Sequence, residues 1–253
     1  MQPHSPDPVP APKSGADTAL EAAFGRAAPA HFAWQTAGAY VSERERELVR
    51  AAFTPLGSRV LDLGCGEGAT LLHLGAPAGA SGVDLFPEKV AFAQEHLPTC
   101  HFRCASVYEL PFENASFDHL LVRDVVHHLE QPDRFVDECR RVLALGGRID
   151  ILEPCRYNPL IFLHAVTNRA ERGELRSTLS FFQRLLSRHF DVVLSNRWQP
   201  LPLHRIVFHP ELGRPSLAER PRVRALVDGA ERLAGHLLPR VMWAYLHVRA
   251  IAR

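Results

Sequence analysis

The stretch Val60-Leu61-Asp62-Leu63-Gly64-Cys65-Gly66-Glu67-Gly68 constrains the fold of this chain more than any other. A short apolar run meets three glycines, and a helical pattern begins at residue 70. The order strand, tight turn, helix follows. Glycines let a backbone turn sharply and approach a ligand closely, and amides opening the next helix favour an anionic group. The spacing Gly64-x-Gly66-x-x-Ala69 also satisfies a dinucleotide-binding fingerprint. Alone, the loop therefore leaves two cofactor classes open, beside a purely structural turn.

The alternation continues. Strands are expected at 59–63, 80–85, 99–104, 116–123 and 148–152, with helices at 70–74, 87–96 and 132–145. The last helix carries Phe135, Val136, Cys139, Val142 and Leu143 on one face, and Gly146-Gly147 suits its C-terminal cap. Repeated β-α units of this length predict an α/β fold with a mostly parallel sheet and helices on both faces. Ligands bind such sheets beyond the carboxyl ends of the strands. Those ends are Asp62-Leu63-Gly64, Asp84, Ser106, Arg123-Asp124 and Glu153-Pro154. A carboxylate at Asp84 can accept both ribose hydroxyl protons, or cap the helix that starts near Pro87.

Flanking segments are less regular. Residues 1–16 read as a disordered tail. Helices are expected at 18–28 and 41–53. In the second, Ser42 can cap, Glu43, Glu45 and Glu47 favour the first turns, and Val41, Leu48, Val49, Ala52 and Phe53 share an inward face. Beyond Glu153 the pattern gives helices at 158–172, 179–188 and 216–238, strands at 190–195 and 242–252, and a proline-rich loop at 197–210. One domain over 17–253 is the result: a helical cap (17–57), a core (58–155) and substrate-side helices with the last strands (156–253).

Bulk properties exclude several classes. A net charge of +1 over 253 residues gives no global sign of nucleic acid binding. Arg214, Arg220, Arg222, Arg224, Arg232 and Arg240 make the C-terminal part more basic. They suit a solvated helix face or contact with an anionic carrier or membrane surface. The five cysteines form no CxxC pair, which suits a reducing cytoplasm. No apolar run is long enough to span a bilayer, and the N-terminus lacks an apolar signal core. The 14 histidines show no HExxH or paired ligand spacing, so no metal is expected.

Four blocks together resemble the class I S-adenosylmethionine (SAM)-dependent methyltransferases. They are VLDLGCGEG (60–68), GVDL (82–85), ELPFENASFDHLLVRDVVHHL (109–129) and FVDECRRVLALGGRI (135–149). The resemblance covers about residues 58–153. It is nearest to the small-molecule branch of quinone-biosynthesis C-methyltransferases and bacterial tailoring enzymes. It implies a Rossmann-like, seven-stranded, mostly parallel sheet and SAM as cofactor. Asp62, Gly64, Cys65 and Gly66 would surround the methionine end, and Asp84 would hold the ribose with Leu85 on the adenine. Ser106 and Val107 would meet the adenine edge, and Arg123 would line the methionine side. Many relatives carry aspartate where Ser106 stands, and serine is the weaker, neutral partner.

SAM brings its own leaving group, so the protein's share is alignment and exclusion of water. A base helps a weakly acidic hydroxyl. His127 and His128 are the candidates, against a structural role in the turn after the fourth strand. Glu153 is either a solvated rim carboxylate or a substrate contact. The expected activity is methylation of a small or lipid-like organic acceptor in a biosynthetic tailoring step, with oxygen slightly favoured. Expected partners are that acceptor, no nucleic acid, no stable membrane insertion, and a homodimer as the allowed assembly. The rivals are a nicotinamide-dependent oxidoreductase on the same loop, a catalytically inactive SAM-binding protein, and an RNA or protein methyltransferase, against which Arg123-Asp124-Val125-Val126 stands in place of an Asn/Asp-Pro-Pro-Tyr-type motif.

Overall fold

The computed structural model describes residues 25–253. The tail at 1–16 and most of the helix expected at 18–28 lie outside them. The first described helix, α1 (Pro29–Thr36), starts one residue past the expected end, with proline in its first turn. Helix α2 (Ala39–Phe53) follows. Its cap is Gly38, not Ser42, whose hydroxyl lies within the helix and donates to Thr36 O at 2.9 Å.

The core then runs β1 (Val60–Leu63), α3 (Ala69–His73), β2 (Ser81–Asp84), α4 (Pro87–His96), β3 (His101–Cys104) and β4 (Phe117–Arg123). A 3₁₀ turn (Val126–His128), α5 (Pro132–Val142) and β5 (Leu143–Pro154) complete it. Helix α5 stops three residues before the expected end. Gly146-Gly147 lie inside β5 instead of capping the helix, where the β4–β5 register shifts between Phe117 and His119. After β5 come α6 (Pro159–Thr167), a 3₁₀ stretch (Arg169–Arg176), α7 (Leu179–Leu186) and β6 (Phe190–Trp198). Helix α8 (Leu203–Val207) breaks the expected proline-rich loop, and α9 (Pro221–Leu237) leads to β7 (Tyr245–Ala252).

The seven strands form one sheet in the order β3-β2-β1-β4-β5-β7-β6. All neighbours are parallel except β7, which runs antiparallel to β5 and β6. Side-chain alternation splits the core between the two faces. Leu61, Leu63, Leu120 and Val122 face Phe135, Val136, Cys139 and Phe182 of α5 and α7. Val60, Leu121 and Leu152 face Leu48, Val49, Ala52 and Phe53 of α2. Deep in the sheet, Asp150 accepts from His119 (2.9 Å), His247 (2.7 Å) and Arg249 (2.7 Å). Burial would raise its pKa, but these donors outweigh burial and hold the carboxyl well below the carboxylate range.

Candidate active site

The glycine turn is built by hydrogen bonds to the neighbouring strand: the amides of Gly64 and Cys65 both donate to Val83 O, at 2.8 and 2.9 Å. Gly64 has φ +70°, and a Cβ there would lie 2.5 Å from Val125. Gly68 has φ +85° and would meet Leu97 at 2.6 Å. Both conditions demand glycine. The following helix is only five residues long, so its dipole adds little to the anion affinity expected there.

Asp84 ends β2 beside this turn. Its two oxygens accept from Gly66 N (2.9 Å) and Phe86 N (3.0 Å), which fixes the carboxylate plane. The helix-capping alternative is thus half met, since one bond enters α4 at its N-cap and the other ties the glycine turn. Leu85 beside it is exposed. Ser106 Oγ accepts from Tyr108 N at 3.2 Å, and Val107 packs on the core next to it.

Asp62 lies at the end of β1, 1% exposed, and its Oδ2 has no hydrogen-bond partner among the described residues. Burial pushes its carboxyl up to about 8, against a weaker pull from Arg123. Asp124, at the end of adjacent β4, has φ +55° and a second buried, unpartnered carboxyl oxygen. Burial raises its pKa too. Burial pushes the Cys65 thiol up, which disfavours the thiolate at this sulfur.

Arg123 turns to a carboxylate the sequence reading placed elsewhere. Its Nη2 donates to Glu45 Oε2 at 2.5 Å. Arg205 of α8 grips the same carboxylate at both oxygens (2.8 and 2.6 Å) and donates to Tyr245 Oη. Glu45 was expected as a first-turn charge on α2, yet it is fully buried. Burial would raise its pKa, but Arg205, His204 and Arg123 hold it well below the carboxylate range. One clue lies in the spacing: Glu45 precedes Leu48, Val49 and Ala52 by three, four and seven residues, the inward stripe of α2.

His127 and His128 lie beyond β4. Glu153 is neither a solvated rim group nor open to a substrate. It is fully buried and accepts from the amides of Val125 and Val126 (2.7 Å each) and from His127 Nδ1 (2.7 Å). His127 Nε2 meets Glu171 at 3.2 Å. Burial disfavours the charged ring, but the two glutamates win and raise its pKa well above 6.5. Both ring nitrogens thus face carboxylates, an arrangement that favours the charged ring over a proton acceptor. Burial, then the neighbouring charge of His127, lowers His128 to about 4, so its ring is neutral at pH 7.

The other side of the turn is pinned by the 3₁₀ stretch. Arg176 Nη2 donates to the carbonyls of Val126 (2.9 Å), His127 (3.2 Å) and Leu129. Gly173 touches His127 O so closely that a Cβ would sit 1.6 Å away. Among the described residues His127, His128 and Glu171 form the one cluster with metal-like spacing. Over the glycine turn, Ala28 N donates to Glu67 Oε1 at 2.9 Å, and Phe32 of α1 packs edge-on against Phe92 of α4.

Residues 61–151 match a family model described as a methyltransferase domain. A ubiquinone biosynthesis O-methyltransferase of Xanthomonas axonopodis pv. citri is 34% identical over 47% of this chain and 52% of its own length. A phosphatidylethanolamine N-methyltransferase of Cereibacter sphaeroides is 26% identical over 61% of this chain and 74% of its own. The matched stretches span 30% to 52% of the first curated relatives' lengths. Geranyl diphosphate C-methyltransferase from Streptomyces coelicolor A3(2), solved with S-adenosyl-L-homocysteine, superposes with a TM-score of 0.65 at 14% identity. That superposition covers 96% of this chain and 100% of that one.

The fold is that of the SAM-dependent methyltransferases it superposes on, and the glycine turn and both strand-end carboxylates fall inside the stretch that matches a methyltransferase domain. Within that class, residues 61–151 carry the domain shared with the curated methyltransferases above.

Proposed function

We propose that the chain transfers a methyl group from SAM to a small or lipid-like organic acceptor in a biosynthetic tailoring step. The observation that carries this reading is the buried Asp62 carboxyl with an unpartnered oxygen under the glycine turn. Such an atom is costly to bury without a partner, and the methionine ammonium of SAM supplies a cationic one. Gly64, Cys65 and Gly66 offer backbone around that end of the cofactor. Asp84, oriented by two amides, keeps lone pairs for ribose hydroxyls. Leu85 and Val107 give the adenine apolar surface, and Ser106 a neutral polar partner. Arg123 acts one step back, by fixing Glu45 beneath the methionine side.

Bound SAM supplies a methyl on a sulfonium leaving group. What the chain adds is alignment of the acceptor and exclusion of water. His127 serves by position: it holds the turn after β4 against Glu153 and Glu171. Of the pair, His128 is the ring that burial keeps neutral, and so weak a base suits an oxygen acceptor that is itself acidic.

Titration calorimetry with SAM, S-adenosylhomocysteine and NADH, repeated on Asp84→Ala, tests the reading. Micromolar binding of SAM or its product, lost in the variant, is expected. Binding of NADH alone would transfer the site to the oxidoreductase class, and no binding would leave an inactive relative.

A further inference from the structure

Two helices that follow the core leave apolar faces uncovered among the described residues. On α6, Phe162, Leu163 and Val166 face outward, Leu163 being 57% exposed, and Tyr157 just ahead is exposed too. The opposite face does the packing: Ile161 joins the cluster of Leu152 and Tyr245, Ala165 is buried, and His164 turns to Glu174. On α9, Leu226, Leu233 and Leu237 recur at spacings of seven and four, which puts them on one side. Leu226 is 73% and Leu237 70% exposed, and Val241 continues the surface.

Charge on both segments is sorted by sign. Around α6, Arg169 and Arg172 are exposed and Arg156 is half-buried, whereas Glu171 and Glu174 turn inward onto His127 and His164. Within α9, Arg222 and Arg232 are exposed, with Arg240 just beyond, while Asp228 and Glu231 turn inward onto Arg44. Glu211 and Glu219, ahead of α9, are exposed acids. The segments that lead into α6 and out of α9 are tied together: Asn158 Nδ2, at the start of α6, donates to Pro200 O and to Met242 O at 2.8 Å each. Met242 follows α9, and Asn158 lies four residues after the Pro154 end of β5, the side of the sheet that carries the site.

We propose that this arginine-flanked apolar surface seats the protein on an anionic lipid bilayer, peripherally, with the strand-end site turned toward it. Large apolar side chains beside outward arginines are what an interfacial helix needs, and anionic headgroups attract such cations. A second copy docked through the same face would set these arginines against one another. No described helix is long and apolar enough to cross a membrane, which agrees with a surface attachment. The inference does not depend on which atom is methylated.

Co-sedimentation with phosphatidylcholine vesicles, plain or carrying about one-third phosphatidylglycerol, tests it. The full chain should bind the anionic vesicles and lose binding as salt rises. Leu163→Ser with Leu237→Ser should weaken binding at least about tenfold, and Arg169→Glu or Arg172→Glu about fivefold or more each. Calorimetry with SAM on the same variants should be unchanged, which keeps this test separate from that of the methyl-transfer reading. Absence of vesicle binding, or equal binding to neutral and anionic vesicles, overturns the proposal. A dimer in sedimentation equilibrium that the leucine variant dissolves would overturn it too, by showing that a second copy covers the face.

Discussion

Asp62 is protonated in the free protein at neutral pH, because burial pushes its carboxyl up to about 8. A cationic ligand end needs it ionised. SAM affinity should therefore climb with pH toward about 8, by up to about tenfold per pH unit on the rising limb, and fall above it as the ligand's own α-amino group loses its proton. Asp62→Asn should bind more weakly and lose this slope, as calorimetry between pH 6 and 9 would show, the range being set roughly by that ionisation. The same group has a stability consequence. Its folded pKa lies above the unfolded value, so its contribution is present at acid pH and is lost as pH rises through about 8. Residue chemistry of this kind was half legible. Asp62 and Asp84 could be placed at strand ends because a strand period and three glycines are local patterns. That Asp84 is tied to the amide of Gly66, 18 residues back, while an oxygen of Asp62 lacks a partner could not, since this depends on how β1 and β2 come together.

Between elements, the turn after β4 is held from two sides, and the histidine pair makes sense only there. Glu153 comes up from β5, and Glu171, Gly173 and Arg176 come down from the 3₁₀ stretch. Gly173→Ala would drive a methyl into His127 O, so the stretch must lift. The expected cost is about 1–3 kcal/mol in urea denaturation, with faster hydrogen exchange at the amides of Val125 and Val126. Unchanged exchange at those amides would show that the stretch does not hold the turn. In the sequence His127 was a candidate base because its side chain is basic and stands at a strand end. The two carboxylates that fill its nitrogens lie 26 and 44 residues on, in segments whose periodicity says nothing about where they return. Elsewhere local rules erred by geometry: Gly146-Gly147 reads as a helix cap, but β5 extends back through it because Leu143 pairs with Phe117.

For the molecule as a whole, Glu45 is the joint between parts that are far apart in the chain. It ties α2 to β4 through Arg123, 78 residues away, and to α8 through Arg205, 160 residues away. Glu45→Gln keeps the shape and removes the charge, leaving two arginines without their counter-ion. A loss of about 3–5 kcal/mol is expected in chemical denaturation, together with weaker SAM binding, since the network borders Asp62 and Asp124. A stability change under about 1 kcal/mol would mean that water replaces the carboxylate and the joint is loose.

The sequence by itself determined the layered architecture, the glycine turn and the two carboxylates beside it. Each is specified by residues a few positions apart, through strand period, helix period and the φ values only glycine adopts readily. The tertiary structure alone decided the partners of the buried charges, the fate of His127 and the outward sorting of arginine from glutamate. Those depend on which segments pack together across long separations, and a charge in a chain carries no mark of the element that will come to face it.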